Sequence, residues 1–172
     1  MEQQQNFYHP STSSKNSIPA KMALFEGKWY VIACIDKSLR KNQIELTKTF
    51  KIKSNNFIEI QTGFRISNSP IFQIKNTVGR IITNAPLTWK EHSIWPFKIT
   101  YTFENVTHDN CAIISDAKKK RLFIIARDSF IKTNIYEDIL KYSQTKGYNT
   151  GLLQLQEHTA SNSHQMIDPT LS

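Results

Sequence analysis

The chain has 172 residues, of which 22 are lysine or arginine and 14 aspartate or glutamate, giving a formal net charge of +8. That length fits one domain and excludes a multidomain assembly, and a core of about 140 ordered residues would bury roughly two thirds of the surface its unfolded chain exposes, so neither metal nor disulfide is needed. Apolar runs such as Tyr30 to Ile35 fall far short of the ~20 residues that a membrane-crossing helix requires.

Residues 1–20 and 159–172 are rich in Ser, Asn, Gln and Thr and carry no sustained apolar period. They read as disordered tails around a domain spanning 21–158. Inside it, short runs of Ile, Phe, Thr, Tyr and Val alternate with polar turns. The expected strands are Lys28–Asp36, Ile44–Lys53, Phe57–Phe64, Ile71–Lys75, Val78–Thr83, Trp89–Ile94, Phe97–Glu104, Cys111–Ser115 and Arg121–Arg127. Alternation is cleanest from Phe97 to Phe103, where Phe97, Ile99, Tyr101 and Phe103 share one face and Lys98, Thr100 and Thr102 the other. One helix follows, with Thr133-Asn134 expected as its N-cap, Glu137 and Asp138 in its first turn and Gly147 just past its end. Ile135, Ile139 and Tyr142, flanked by Tyr136 and Leu140, form its apolar stripe. A short strand, Leu152–Gln156, ends the series. So many short strands with one late helix predict an all-β protein, closed as an antiparallel barrel with the helix on its outer wall.

Cys34 and Cys111 both lie inside apolar strand-like runs and form no CxxC pair. They are expected to be reduced rather than bridged. No basic leader with an apolar stretch, lipoprotein-type cysteine or membrane-spanning run is visible. The expected location is therefore cytoplasmic or at a membrane periphery, with non-classical secretion left open.

The segment Gly27-Lys28-Trp29-Tyr30-Val31-Ile32-Ala33 resembles the G-x-W signature of the lipocalins, and the remainder resembles the bacterial lipocalin and apolipoprotein D branch. Gly63, Gly79-Arg80 before Ala85-Pro86, Pro96-Phe97, and Leu122-Phe123-Ile124-Ile125-Ala126-Arg127 fall in the family's order. The last is similar to the third family signature, a strand ending in Arg. The helix followed by Lys146-Gly147-Tyr148-Asn149-Thr150 is similar to that branch. The second signature, usually Thr-Asp-Tyr, reads Asn-Val-Thr-His-Asp at Asn105–Asp109. The resemblance implies an eight-stranded up-and-down barrel, the lipocalin calyx, with one C-terminal flanking helix and a short final strand.

It also implies roles. Trp29 and Arg127 are expected to pack together at the closed end, a structural pairing, and Gly27 and Gly63 to serve the backbone at a strand start and a bend. Leu46, Lys48, Phe50, Phe123 and Ile125 should line the interior, with Tyr101, Phe103 and Ile113 as further lining. An aromatic and aliphatic cavity selects elongated apolar ligands by area, at about 25 cal/mol per Å² buried. Lys48 interrupts that lining, and an unpaired ammonium there is costly. It is expected to anchor the head group of an anionic amphiphile such as a fatty acid or lysophospholipid, unless Glu59 neutralises it or it reaches out to the rim. Lys37, Arg40 and Lys41, together with Lys118, Lys119, Lys120 and Arg121, fall in connections that the family places at the open mouth, as do Trp95 and Phe97. Such a rim suits an anionic ligand or an anionic bilayer, or is simply a set of solvated turns.

Against nucleic acid as partner, there is no aromatic strand pair of the RNA-binding type, no helix-turn-helix spacing and no zinc pattern. The histidines at 9, 92, 108, 158 and 164 form no HExxH pair, and no GxSxG or phosphate-cradling glycine loop occurs. The chain is thus read as a non-enzyme without cofactor or metal that binds a small hydrophobic or amphiphilic ligand. The alternatives are a barrel filled by its own side chains that serves as a membrane-associated or host-protein scaffold, and, further off, a lipocalin-fold isomerase or hydratase, which would need polar groups converging deep in the calyx.

Overall fold

The computed structural model describes residues 24–53, 56–84, 86–92, 98–107 and 110–159. Eight strands form the wall: β1 (Gly27–Ile35), β2 (Gln43–Lys53), β3 (Phe57–Ile66), β4 (Phe72–Asn84), β5 (Leu87–His92), β6 (Lys98–Thr107), β7 (Cys111–Asp116) and β8 (Leu122–Ala126). Each pairs antiparallel with the next, and β1 pairs with both β8 and β2, so the sheet closes. Closure removes the unpaired edges that so many short strands would otherwise present. A ninth strand, β9 (Gln154–Leu155), pairs with Ala33 and Cys34 of β1. The expected all-β barrel with one helix and a final short strand is the fold observed.

The expected strands over Ile71–Lys75 and Val78–Thr83 are one element, β4. The polar pair Asn76-Thr77 does not break it, because both residues are paired with β3, opposite Gln61 and Ile60. Gly79, expected near the start of a strand over Val78–Thr83, therefore lies well inside one. The helix α1 (Thr133–Thr145) is capped by Lys132 without a side-chain bond, so Thr133-Asn134 are its first residues and not its cap. Glu137 and Asp138 consequently stand beyond the first turn. Gly147 does follow it at φ +83°, a left-handed position that glycine adopts without strain.

Two apolar clusters sit on either side of the wall. The inner one contains Phe25, Trp29, Leu46, Phe50, Ile60, Trp89, Tyr101, Ile114, Phe123 and Ile125. The outer one joins Ile32, Ile35, Cys111, Ile113, Leu122 and Ile124 to Ile139 of α1 and to Tyr148. Strands β7 and β8 are thus buried on both faces, which is why they read as unbroken apolar runs rather than alternating ones. Cys34 belongs to the inner cluster and Cys111 to the outer one, and neither is in a disulfide. Glu104 of β6 ties the helix down, accepting a hydrogen bond from Tyr142 and pairing with Lys146 at 3.3 Å.

The segment after β9 acts as a strap. β1 keeps its pairing with β2 only from Gly27 to Tyr30, and β2 is irregular between Ile44 and Thr47. Into that gap, Gln156 N–H donates to the Ile32 carbonyl at 2.9 Å and Glu45 N–H to the Glu157 carbonyl at 2.7 Å. Backbone groups left over by the irregular register are thereby satisfied.

Candidate functional site

The barrel interior is built from the bottom by aromatic rings. Phe25, just before β1, is fully buried, with its ring centroid 4.1 Å from that of Phe50, 4.4 Å from Phe103 and 5.6 Å from Trp89. Sequence reasoning missed it, because it stands outside every periodic run. Trp29 lies beside this plug and donates from Nε1 to the Phe25 carbonyl at 2.9 Å. Arg127 covers the indole from outside, its Cζ 3.7 Å from the ring centroid. Gly27, at φ +95°, approaches the same guanidinium: a Cβ there would come within 3.2 Å of it. Gly63 is close-packed as well, under the ring of Phe72.

Above the plug, Leu46, Lys48 and Phe50 occupy successive inward positions on β2. Tyr101, Phe103, Phe123 and Ile125 also belong to the inner cluster or pack against it. Ile113 does not: it lies on the outer wall beneath α1, while its neighbours Ala112 and Ile114 face inward. β7 offers no polar residue before Ser115 to set the phase, so its faces are fixed only by the register with β8 and by the helix outside.

Lys48 is the charged group of the lower calyx. Its Nζ hydrogen-bonds Thr62 Oγ1 at 3.3 Å and stands 4.7 Å from the centroid of the Phe123 ring. Glu59 does not pair with it, being an outward neighbour that binds Lys53 at 3.1 Å. Among the described residues no carboxylate makes an ion pair with Lys48. Burial pushes its pKa below the ordinary 10.5, and the more distant carboxylates of Glu91 and Asp36 oppose that shift. Register places Lys75 on the same inner face, opposite Thr62, and Thr77 opposite Ile60. Thr77 donates to Glu91 at 2.7 Å. These inward polar residues escaped the sequence reading, since β4 was divided there.

Two further features limit the interior. The cavity lined by Lys48, Phe50, Ile60, Trp89, Tyr101, Ile114 and Phe123 measures about 10 Å³, room for one water. Trp89 Nε1, in the same wall, is buried and has no hydrogen-bond partner among the described residues. A water or a ligand oxygen is what such a donor requires.

At the mouth, the β1–β2 connection sends Leu39 down against the inner cluster. Lys37, Arg40, Lys41, Lys118, Lys119 and Lys120 are exposed. Arg121 is committed instead, pairing with Asp36 at 3.3 Å and so joining the β1–β2 and β7–β8 connections. Trp95 and Phe97 lie outside the described residues, as do His108 and Asp109. Among the described residues, no group of three or more His, Cys, Asp or Glu could hold a metal ion, and no helix is long and apolar enough to cross a membrane.

The profile of the lipocalin-like domain matches residues 21–158. The chain belongs to the lipocalin-like family. Solved structures with the same fold include insecticyanin from the tobacco hornworm Manduca sexta, at 13% identity over 81% of this chain and 82% of that one with a TM-score of 0.59. Lobster apocrustacyanin A1 aligns at 11% identity over 81% and 80% with a TM-score of 0.62. The siderocalin Ex-FABP aligns at 11% identity over 80% and 97% with a TM-score of 0.60. At such identities the likeness concerns the fold alone. No curated protein matches the sequence. The match gives this lipocalin its family without assigning it to a branch.

Proposed function

We propose that this lipocalin binds one small anionic amphiphile, of the fatty-acid or lysophospholipid class, with the acidic head group held inside the barrel by Lys48. The observation that carries this reading is a lysine turned inward on an aromatic wall with a hydroxyl for company and no carboxylate in contact among the described residues. A carboxylate or phosphate oxygen would supply the missing counter-charge, and charge-assisted bonds of that kind are the strong ones. The apolar chain then runs from Lys48 toward the mouth past Leu46, Phe64 and Ile99, and the exposed lysines of the rim draw the anion in. On this reading Leu39 is the side chain that yields on entry. The fold family, whose members bind small hydrophobic ligands, supports the same conclusion, and we keep the bacterial lipocalin and apolipoprotein D branch as part of the proposal on the segment after α1. We propose no catalysis: the inner hydroxyls of Thr62 and Thr77 are each engaged with a neighbouring wall residue. We place the protein in the cytoplasm or at a membrane periphery.

One observation favours a second reading. Ligand pockets commonly measure about 300–1,000 Å³, against about 10 Å³ at the Lys48 level here. A barrel filled by its own rings would serve as a scaffold for a membrane or a host protein. Native mass spectrometry of the purified protein, with organic extraction and lipid analysis, separates the two. A co-purifying fatty acid or lysophospholipid displaced by an environment-sensitive acyl probe supports binding. A clean unliganded mass without probe uptake supports the scaffold.

A further inference from the structure

The wall opposite the helix carries a surface that the calyx does not explain. The outward positions of β4 are Phe72, Ile74, Asn76, Val78 and Arg80, alternating with the buried Gly79 and Ile81, and Ile82, at the irregularity in register that follows, is exposed as well. A wall facing water would hold polar residues there. Instead Phe72, Ile74, Val78 and Ile82 are 47%, 56%, 52% and 49% exposed. Phe57, paired with Arg80 across β3–β4, extends the apolar row. The helix and the C-terminal strap cover β1, β7 and β8, on the other side of the barrel, and leave this row open.

Its borders are cationic. Arg80 stands directly opposite Lys90, and His92 directly opposite Lys98, on the outer face. Like charges paired across a strand boundary cost stability, and neither Arg80, Lys90 nor Lys98 has an ion pair among the described residues. Glu59, the outward carboxylate of this region, is engaged by Lys53. Between the cations and the apolar row runs an open groove of about 780 Å³.

We propose that the outer wall of β3, β4 and β5 is a docking surface for an anionic lipid bilayer. The apolar row enters the acyl boundary, and the Arg80–Lys90 column with Lys98 meets the lipid phosphates, relieving the repulsion between the paired cations. A second copy of the chain fits less well, because twofold contact would set one cationic column against another. Nucleic acid would use the cations and leave the aliphatic row wet.

The test is flotation of the full chain with vesicles of phosphatidylcholine alone and of phosphatidylcholine mixed with phosphatidylglycerol, at low and high salt. Binding is expected on the acidic vesicles and is expected to weaken with salt. The double variant Arg80→Glu/Lys90→Glu should lower partition roughly tenfold or more, and Ile74→Ser/Val78→Ser should also lower it. The mouth variant Lys37→Glu/Lys41→Glu, with the same change of net charge, should lose far less. Circular dichroism checks folding, and if the charge reversal unfolds the protein, Arg80→Gln/Lys90→Gln replaces it with a smaller loss expected. The proposal is overturned by equal binding to neutral vesicles, by no binding at all, by wall variants that bind as the parent, or by loss in the mouth variant alone. It is also overturned if sedimentation shows a dimer that Ile74→Ser/Val78→Ser disperses. None of these outcomes depends on a ligand in the calyx.

Discussion

The guanidinium of Arg127 lies 3.7 Å from the centre of the Trp29 indole and donates to three backbone carbonyls, those of Lys28 at 3.0 Å, Leu24 at 2.6 Å and Glu26 at 2.8 Å. One side chain from the end of β8 thus fixes the segment from Leu24 to Lys28, which forms the entry to β1. The consequence reaches the interior, because Phe25, the plug of the barrel, lies within that segment. Loss of the stacking and of three charge-assisted bonds in Arg127→Ala should lower stability by about 2–4 kcal/mol. Arg127→Lys should recover little, since an ammonium has no planar fork. Urea unfolding measures both, and a lysine variant as stable as the parent would show that charge alone suffices.

Lys48→Met tests the ligand anchor. Affinity for a fatty-acid or lysophospholipid probe should fall about tenfold or more, by the value of a charge-assisted bond, while an uncharged analogue of equal length should bind unchanged. The variant without ligand should be more stable than the parent at neutral pH, because a desolvated cation has been removed. The sign with pH follows from linkage. With the folded pKa of Lys48 held below 10.5, the unfolded chain binds the proton more tightly, so this residue makes the parent gain stability as pH rises from the folded value to 10.5. The advantage of Lys48→Met should therefore shrink as pH rises toward that limit. Equal probe affinity in parent and variant would refute the anchor.

The residues that could be read in advance are those whose type contrasts with their neighbours. Lys48 stood out between Leu46 and Phe50, and Gly27-Lys28-Trp29 marked the entry to β1. Where contrast was missing, phase was lost: Cys111-Ala112-Ile113-Ile114 is apolar on both faces, and only α1 and β8 decide that Ile113 looks outward. Contrast could also mislead, as at Asn76-Thr77, where Thr77 is accommodated inside by Glu91 from the next strand. The chain from Gln154 to Thr159, β9 and the strap after it, was half visible as a final strand. Its contacts, with Val31, Ile32 and Glu45, join residues more than a hundred positions apart and leave no local periodicity to read.

Gly79 is a packing requirement for the inner wall. A Cβ at this position would meet Trp89 Cδ1 at 2.5 Å, Ile58 Cγ2 at 3.0 Å and the Lys90 carbonyl at 3.3 Å. The tryptophan ring must then move within a cluster that has about 10 Å³ to spare. Gly79→Ala should destabilise by about 1–3 kcal/mol and shift the emission of Trp89 as its indole is displaced. An unchanged spectrum would refute the displacement, whereas a shifted spectrum with an unchanged melting temperature would mean that the ring relocates freely, which would in turn make room for a ligand.

The strap should be sensitive to acid through His158. Its ring is buried edge-on against Tyr30, with centroids 5.3 Å apart, and Nε2 lies 2.9 Å from the Val31 carbonyl. A carbonyl only accepts, so Nε2 carries the hydrogen and donates. Burial holds the pKa below the ordinary 6.5, the bond to Val31 opposing this in part. The unfolded chain therefore takes up a proton at a pH where the folded one does not, and stability falls as pH drops below 6.5 toward the folded value. Between about pH 7.5 and about pH 5 the parent should lose thermal stability, and His158→Gln, which can still donate to Val31 but cannot titrate, should lose less. Hydrogen exchange should localise the difference to the amides of Glu45 and Gln156, whose bonds close the gap between β1 and β2. Parallel pH profiles in the two proteins would remove His158 as the source.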